Sequence, residues 1–438
     1  MRFIALVGVL LACACTKPRP GIPPRHLLLV TCETMRADHT SAYLSLKPTT
    51  SLPATETERR ENRAMGLDHL AASGVVFRTC TSPSPRTVPA LASLFTGVSP
   101  RSARVETNDE RVPADVPTLA ELFVDSGFRT GAFVTRSPSG DIQASLARGF
   151  DEFTTCADDS MTVAVALAWL TDDPGDGSRR FTWVHLAGAT LPFDRGAHTI
   201  DVEELLARKD FGDVASDAEI GAGVTDPNAF DETQVRRFAD RYGKEIARTT
   251  LALARLLQES FDYTRPGAEA SEVWARTVFA FTAPNGMALG EDGAIGHVER
   301  CHDGMLRVPL VLRHPDSLTG ERVSDAVVEL ADLLPTFVEW FDLATPAHVE
   351  GRSLLALLDS YVERPFERRP TVSRIDETAV SVRDERWHLV VEKSVDGRSL
   401  RLFEPAHDPA EREDVSGAHP DVVRRLAAAA ERSAPPRH

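Results

Sequence analysis

The chain reads as an α/β protein with a largely parallel central sheet, helices on both faces of it, and a small C-terminal α+β subdomain. Three observations predict this. Short apolar runs of the length of buried parallel strands recur at 26–31, 130–135, 180–186 and 277–282. Helix-like stretches, 118–126 and 236–259 among them, stand between those runs. The first run passes directly into Cys32-Glu33-Thr34-Met35-Arg36-Ala37-Asp38-His39, and open parallel sheets gather their ligands at the carboxyl ends of strands.

Composition narrows the classes of function. With 438 residues, 42% of them hydrophobic, the chain can bury one large core with a smaller one beside it. A formal charge of -16 speaks against nonspecific attraction to nucleic acid or anionic lipid. No fixed-period repeat is present, so a solenoid is excluded.

The amino-terminal residues have a separate role. Arg2 precedes an apolar run, 3–12, which ends in Ala12-Cys13-Ala14-Cys15. This has the form of an export signal, and about ten apolar residues are too few for a bilayer span, which needs roughly 20. Leu10-Leu11-Ala12-Cys13 resembles a bacterial lipobox, which makes Cys13 the candidate lipidation site, 1–15 a lipoprotein-type signal and 16–25 a Pro-rich tether. An unlipidated signal is the alternative. Export would mature Cys32, Cys80, Cys156 and Cys301 in an oxidising compartment, where three pairings are open. Cys32, inside an apolar run, equally suits a small buried hydrophobe. The main domain is expected over 26–370 and the small subdomain over 371–438. Within them 324–343 shows apolar residues near helical spacing, 379–392 suits a strand pair, and 420–433 suits a closing helix.

Several segments in order carry a resemblance to the sulfatases of the alkaline phosphatase superfamily. Residues 29–39 resemble the family's opening Asp-Thr-Leu-Arg-Ala-Asp-His block, 67–77 its helix ahead of the nucleophile loop, and 87–97 the nucleophile segment. Later blocks at 181–193, 281–297 and 306–315 follow, then Gly351-Arg352-Ser353-Leu354, Leu402-Phe403-Glu404-Pro405 and Asp408-Pro409-Ala410-Glu411. The resemblance implies the alkaline-phosphatase/sulfatase-like fold and hydrolysis of sulfuric or phosphoric esters on a divalent cation.

Matched position by position, the site departs from the family pattern. Thr87 stands at the nucleophile place and Leu91 at the arginine place, so the Cys/Ser-x-Pro-x-Arg signature for formylglycine is absent. An unmodified threonine can still attack if a metal activates it. Thr87 and Pro89 equally suit the cap and first turn of a helix. Glu33 and Thr34 stand where two adjacent carboxylate ligands are expected, and Pro284-Asn285 where an Asp-Asn or Asp-His pair is expected. In 183–193 His185 remains, while Gly188 and Thr190 replace an aspartate and a histidine; His297 closes a Gly-Glu-x-Gly-x-x-Gly-His run.

The candidate set is therefore Thr87, His185 and His297 for catalysis and Glu33 and Asn285 for metal, with calcium or magnesium ahead of zinc if the site is active and no metal if it is not. The leading expectation is an exported pseudoenzyme of the cell envelope that binds or scaffolds, touching the membrane only through its lipid. The alternative is an active ester hydrolase with Thr87 as nucleophile, with Glu291 or Asp292 available to complete the metal shell. A small anionic ester or a glycan is the expected ligand, and no nucleic acid.

Overall fold

The structure, a computed structural model, describes residues 24–40, 43, 67–137, 139–172, 177–191, 193, 231–261, 274–314, 322–358, 364–394 and 397–432. The export signal, Cys13 and the acidic stretch 194–230 lie outside these residues. Among the described residues, fifteen strands β1 to β15 occur in chain order. They are His26–Cys32, Val75–Thr81, Phe128–Thr135, Glu152–Cys156, Arg179–Leu186, Thr277–Thr282, Ala288–Leu289, Ile295–Gly296, Arg307–Val308, Leu310–Arg313, Arg322–Glu329, Thr371–Ile375, Ala379–Arg383, His388–Ser394 and Gly397–Phe403.

The central sheet has the order β11-β2-β10-β6-β1-β5-β3-β4, with the short β9 paired to β2. Its core is parallel: β1 lies between β5 and β6, and β3 between β5 and β4. Only β10 and β9 run antiparallel to their neighbours. The smaller sheet, β12-β13-β14-β15, is an antiparallel meander.

The α-helices with described bounds, α1 to α11, are Leu67–Ala72, Thr87–Thr96, Pro100–Ala103, Leu119–Asp125, Ile142–Leu146, Asp159–Thr171, Glu232–Phe261, Asp303–Leu306, Leu333–Trp340, Leu355–Leu358 and Pro420–Arg432. Helix α4 starts at a capping box, in which Thr118 accepts from the Glu121 N–H and Glu121 accepts from the Thr118 N–H. Helix α6 packs on β3 and β5 and carries α7 on its outer side. Gly131 in β3 makes that packing possible, since a Cβ there would stand 2.7 Å from the Trp169 ring. Aromatic rings fill the core: Phe95 meets Trp183 edge-on at 4.6 Å, and Phe123 touches Phe128, Phe181 and Phe341.

Two expectations are corrected. Residues 322–329 form strand β11, and the helix starts only at Leu333. The run Ala326-Val327-Val328 carries two β-branched residues and pairs with β2, so tertiary pairing overrides the apparent helical spacing. Likewise the helix expected over 67–77 ends at Ala72, and Val75-Val76-Phe77 open β2, where β-branched residues suit a buried strand. Cys32, Cys80, Cys156 and Cys301 are all buried free thiols.

The turn at 351–354 is fastened by Asp332, which is fully buried. Its carboxylate accepts from the Arg352 N–H at 2.6 Å, the Arg352 guanidinium at 3.0 Å and the Glu329 N–H at 3.0 Å. Asp332→Ala would strand Arg352, which is only 8% exposed. The expected loss is about 3–5 kcal/mol, read as a lower urea midpoint with unchanged slope. An unchanged midpoint would show that Arg352 is satisfied without Asp332.

Candidate active site

The carboxyl ends of β1, β5, β3 and β6 converge, as parallel register requires. Thr31 of β1 is level with His185 on one side and Thr282 on the other, so Glu33 and Pro284 each lie two residues beyond a matched pair. The Glu33 N–H donates to the Leu186 carbonyl at 2.9 Å, which fixes the chain as it leaves the sheet.

Glu33 is completely buried, and its carboxylate is surrounded by donors. Oε2 accepts from the hydroxyls of Ser137 at 2.6 Å, Thr190 at 3.0 Å and Ser139 at 3.3 Å. Thr190 has a second acceptor in the Ala187 carbonyl, so its one proton is shared between the two. Oε1 stands 3.3 Å from His185 Nε2.

The proton order behind that contact follows from the neighbours. The Trp183 indole can only donate, and it donates to Thr31 Oγ1 at 2.9 Å. The Thr31 hydroxyl then gives its own proton to His185 Nδ1 at 2.7 Å, which leaves the ring proton on Nε2, directed at Glu33. Burial pushes Glu33 upward, but the hydrogen bonds from His185 and Ser137 bring it below the usual carboxylate value.

Thr87 and Asn285 form a second pair. Thr87 is the first residue of α2, and its hydroxyl donates to Asn285 Oδ1 at 3.4 Å; Asn285 Nδ2 donates to the Pro85 carbonyl at 2.9 Å. Both residues are 1% exposed. The side-chain cap role expected for Thr87 falls to another residue: Asn108 Oδ1 accepts from the Val88 N–H at 3.0 Å. Leu91, at the family arginine place, is buried in the core. The nearby cation in sequence is Arg86, whose guanidinium is held by Glu299 at 2.7 Å and Asp376 at 2.9 Å.

Other departures from the family pattern have visible causes. Gly188 has φ +57, and a Cβ there would meet Cys32 Sγ at 2.3 Å and the Glu33 carbonyl at 2.7 Å. The Ala187 and Gly188 N–H groups donate instead to Asp159, whose carboxyl burial pushes upward. Thr34 has φ +56, a strained conformation for a β-branched residue, and its hydroxyl is buried without a partner among the described residues. Glu291 is committed to Arg36 at 2.6 Å and to the Leu289 N–H at 2.7 Å. His297 is partly exposed and flanks the site.

A divalent cation does not fit this donor set. Calcium takes six to eight oxygens and magnesium an octahedron, usually with more than one anionic ligand. The matched places supply one carboxylate already engaged by Ser137 and His185, one threonine hydroxyl, one amide oxygen turned to Thr87, and a proline ring. Among the described residues the Thr34 hydroxyl is an orphan that a cation would relieve. A cavity of about 600 Å³ opens elsewhere, between the main domain and the small sheet, lined by Arg101, Glu106, Glu329, Arg369, Arg374 and Asp376 among others. Burial and then Asp332 push Glu329 up to about 7. Thr87, Glu33 and Asn285 are not among its walls.

Sequence reasoning named Glu33, His185, Thr87, Asn285 and His297, and the fold joins them as two pairs and a flank. It missed Ser137 and Ser139. The available signal was their position in Ser137-Pro138-Ser139-Gly140, directly beyond a strand-like run whose carboxyl end borders the site.

Similarity to known proteins fits this geometry. The family model described as Sulfatase matches residues 25–165 and 224–343, and the one described as N-sulphoglucosamine sulphohydrolase, C-terminal, matches 299–431. A Delta 4,5-hexuronate-2-O-sulfatase of Bacteroides thetaiotaomicron is 22% identical over 387 residues, covering 80% of this chain and 79% of the relative. Among solved structures, a 2-O GAG sulfatase superposes with TM-score 0.67 at 18% identity, over 94% of this chain and 92% of that one. A phosphonate monoester hydrolase of Agrobacterium radiobacter superposes with TM-score 0.68 at 18% identity, over 94% and 95%.

Glu33→Gln keeps the size of the side chain and removes the anion. At pH 7 it should cost about 1–3 kcal/mol. A depressed carboxyl contributes stability that is complete above the unfolded value near 4.5 and is lost as pH falls through the folded value, so the gap to wild type should narrow in acid. Urea melts at pH 7 and about pH 3.5 measure this; an equal gap at both would mean that Glu33 is not held as an anion.

Proposed function

The chain belongs to the sulfatase family, and from that membership we propose that it is a family member whose metal-dependent site has been converted into a structural one, acting as an exported binding or scaffolding protein. The observation that carries this reading is the state of Glu33. Its carboxylate, at the place of a family metal ligand, is enclosed by Ser137, Ser139, Thr190 and His185. Pro284 at the late ligand place and Leu91 at the arginine place support it. Metal activation and oxyanion stabilisation commonly supply several kcal/mol each, so losing both lowers a rate by many powers of ten.

Export rests on the signal-like residues 1–15, with Cys13 as the lipid attachment point. Among the described residues no helix is long and apolar enough to cross a membrane. The ligand class we assign is a small anionic ester or a sulfated glycan, in keeping with the hexuronate named for the Bacteroides relative.

A second reading has its own observation. The Thr87 hydroxyl meets Asn285 at the start of a ten-residue helix, whose amides favour a developing anion, and the Thr34 hydroxyl is an orphan. On that reading the protein is a hydrolase of sulfate or phosphate esters with Thr87 as nucleophile.

The deciding assay uses 4-nitrophenyl sulfate, phosphate and phenylphosphonate with calcium or magnesium present. The proposal expects turnover at the buffer rate, unchanged in Thr87→Ala. Turnover above buffer that disappears in Thr87→Ala would establish the second reading instead.

A further inference from the structure

A second cluster of ionisable side chains joins the main domain to the small sheet. His302 and Asp303 begin α8, His388 begins β14, and Glu411 lies in the turn after β15 with φ +51. Their exposures are 5%, 7%, 2% and 5%. One ligand atom from each of Asp303, His388 and Glu411 lies within 4.8 Å of the other two.

Glu411 is the centre. Its Oε1 is in contact with His388 Nδ1, and its Oε2 accepts from the Asp303 N–H at 3.0 Å and faces His302 Nδ1 at 3.3 Å. The His388 ring is held from behind, its Nε2 bonded to Ser381 Oγ at 2.6 Å, so Nδ1 points at the carboxylate. His302 Nε2 faces an Arg401 guanidinium nitrogen at 3.5 Å. That group only donates, so the His302 proton sits on Nδ1 and is given to Glu411. Two further charges bound the cluster: Arg307 stands 3.5 Å from Asp303, and Glu392 pairs with Arg401 at 3.0 Å.

We propose that Asp303, His388 and Glu411 ligate a divalent transition ion of the zinc type between the two sheets, with His302 as a positioning residue. A mixed nitrogen and oxygen set of three suits zinc, which is content with four ligands, and does not suit calcium or magnesium. Tetrahedral bonds of about 2.1 Å place ligand atoms roughly 3.4 Å apart, so His388 Nδ1 and Glu411 Oε1, which are in direct contact, would draw apart to admit the ion. Ser381 and His302 supply what such sites need behind the ligands: a bond to the far nitrogen of the ligating imidazole and one to the ligating carboxylate. With a single proton on His388 Nδ1 the same contact is an ordinary hydrogen bond, and the experiment separates the two.

The chain is stripped with a chelator and titrated with zinc ion alone, by calorimetry and by competition with a chromophoric chelator. The expected result is one equivalent bound, at least 100-fold more weakly in Glu411→Gln and His388→Gln, about 10–100-fold more weakly in His302→Gln, and unchanged in Glu33→Gln. Circular dichroism confirms that each variant is folded. Asp303→Asn, which leaves the His388–Glu411 contact in place, should also lose affinity and serves if the others do not fold. No stoichiometric uptake by wild type, or equal uptake by the variants, would overturn the site and leave a hydrogen-bonded His–Glu–His clasp. Loss in Glu33→Gln alone would place the ion in the cleft and overturn it as well.

Discussion

A carboxylate with no access to water sets the terms for the centre of this molecule. An isolated buried anion is prohibitively costly, so every element ending near Glu33 must present a donor to it. The loop after β3 offers Ser137 and Ser139, the end of β5 offers His185, and the turn beyond offers Thr190. His185 can serve only because Thr31 and Trp183 order its protons from behind. Three strands are thus tied at their carboxyl ends by one charge, in the place where parallel sheets ordinarily hold a ligand.

The same economy governs the contact between the two sheets. Glu411 gathers His388 from the small sheet and His302 and the Asp303 N–H from the main domain. Arg86 is gripped by Glu299 on one side and Asp376 on the other. Buried or half-buried ions shared across the boundary make the small sheet a partner in shaping the surroundings of Thr87. Asp376 also lines the cavity beside the small sheet.

The strands were legible because period and length announce a buried parallel strand: 26–31, 180–186 and 277–282 are read nearly to the residue. Strand β11 was not, since Ala326-Val327-Val328 fits either period and only pairing with β2 decides. Within the site, Glu33 and Asn285 stand out because a carboxylate and an amide follow apolar runs. Ser137 and Ser139 do not, for serine in a Pro-Gly loop is what any turn contains. The Glu411 cluster was hidden for another reason: its first and last members, His302 and Glu411, are 109 residues apart in the chain, and long-range approach leaves no local pattern.

Gly188 limits what the site can accept. With Cys32 Sγ 2.3 Å from where a Cβ would sit, and with φ at +57, no side chain fits this position while the backbone keeps its course. Placing an aspartate there would require the chain at Cys32 and Glu33 to shift, which the ties to Glu33 resist. Glycine is therefore a fixed point of this sequence, and variation in this part of the site is left to its neighbours.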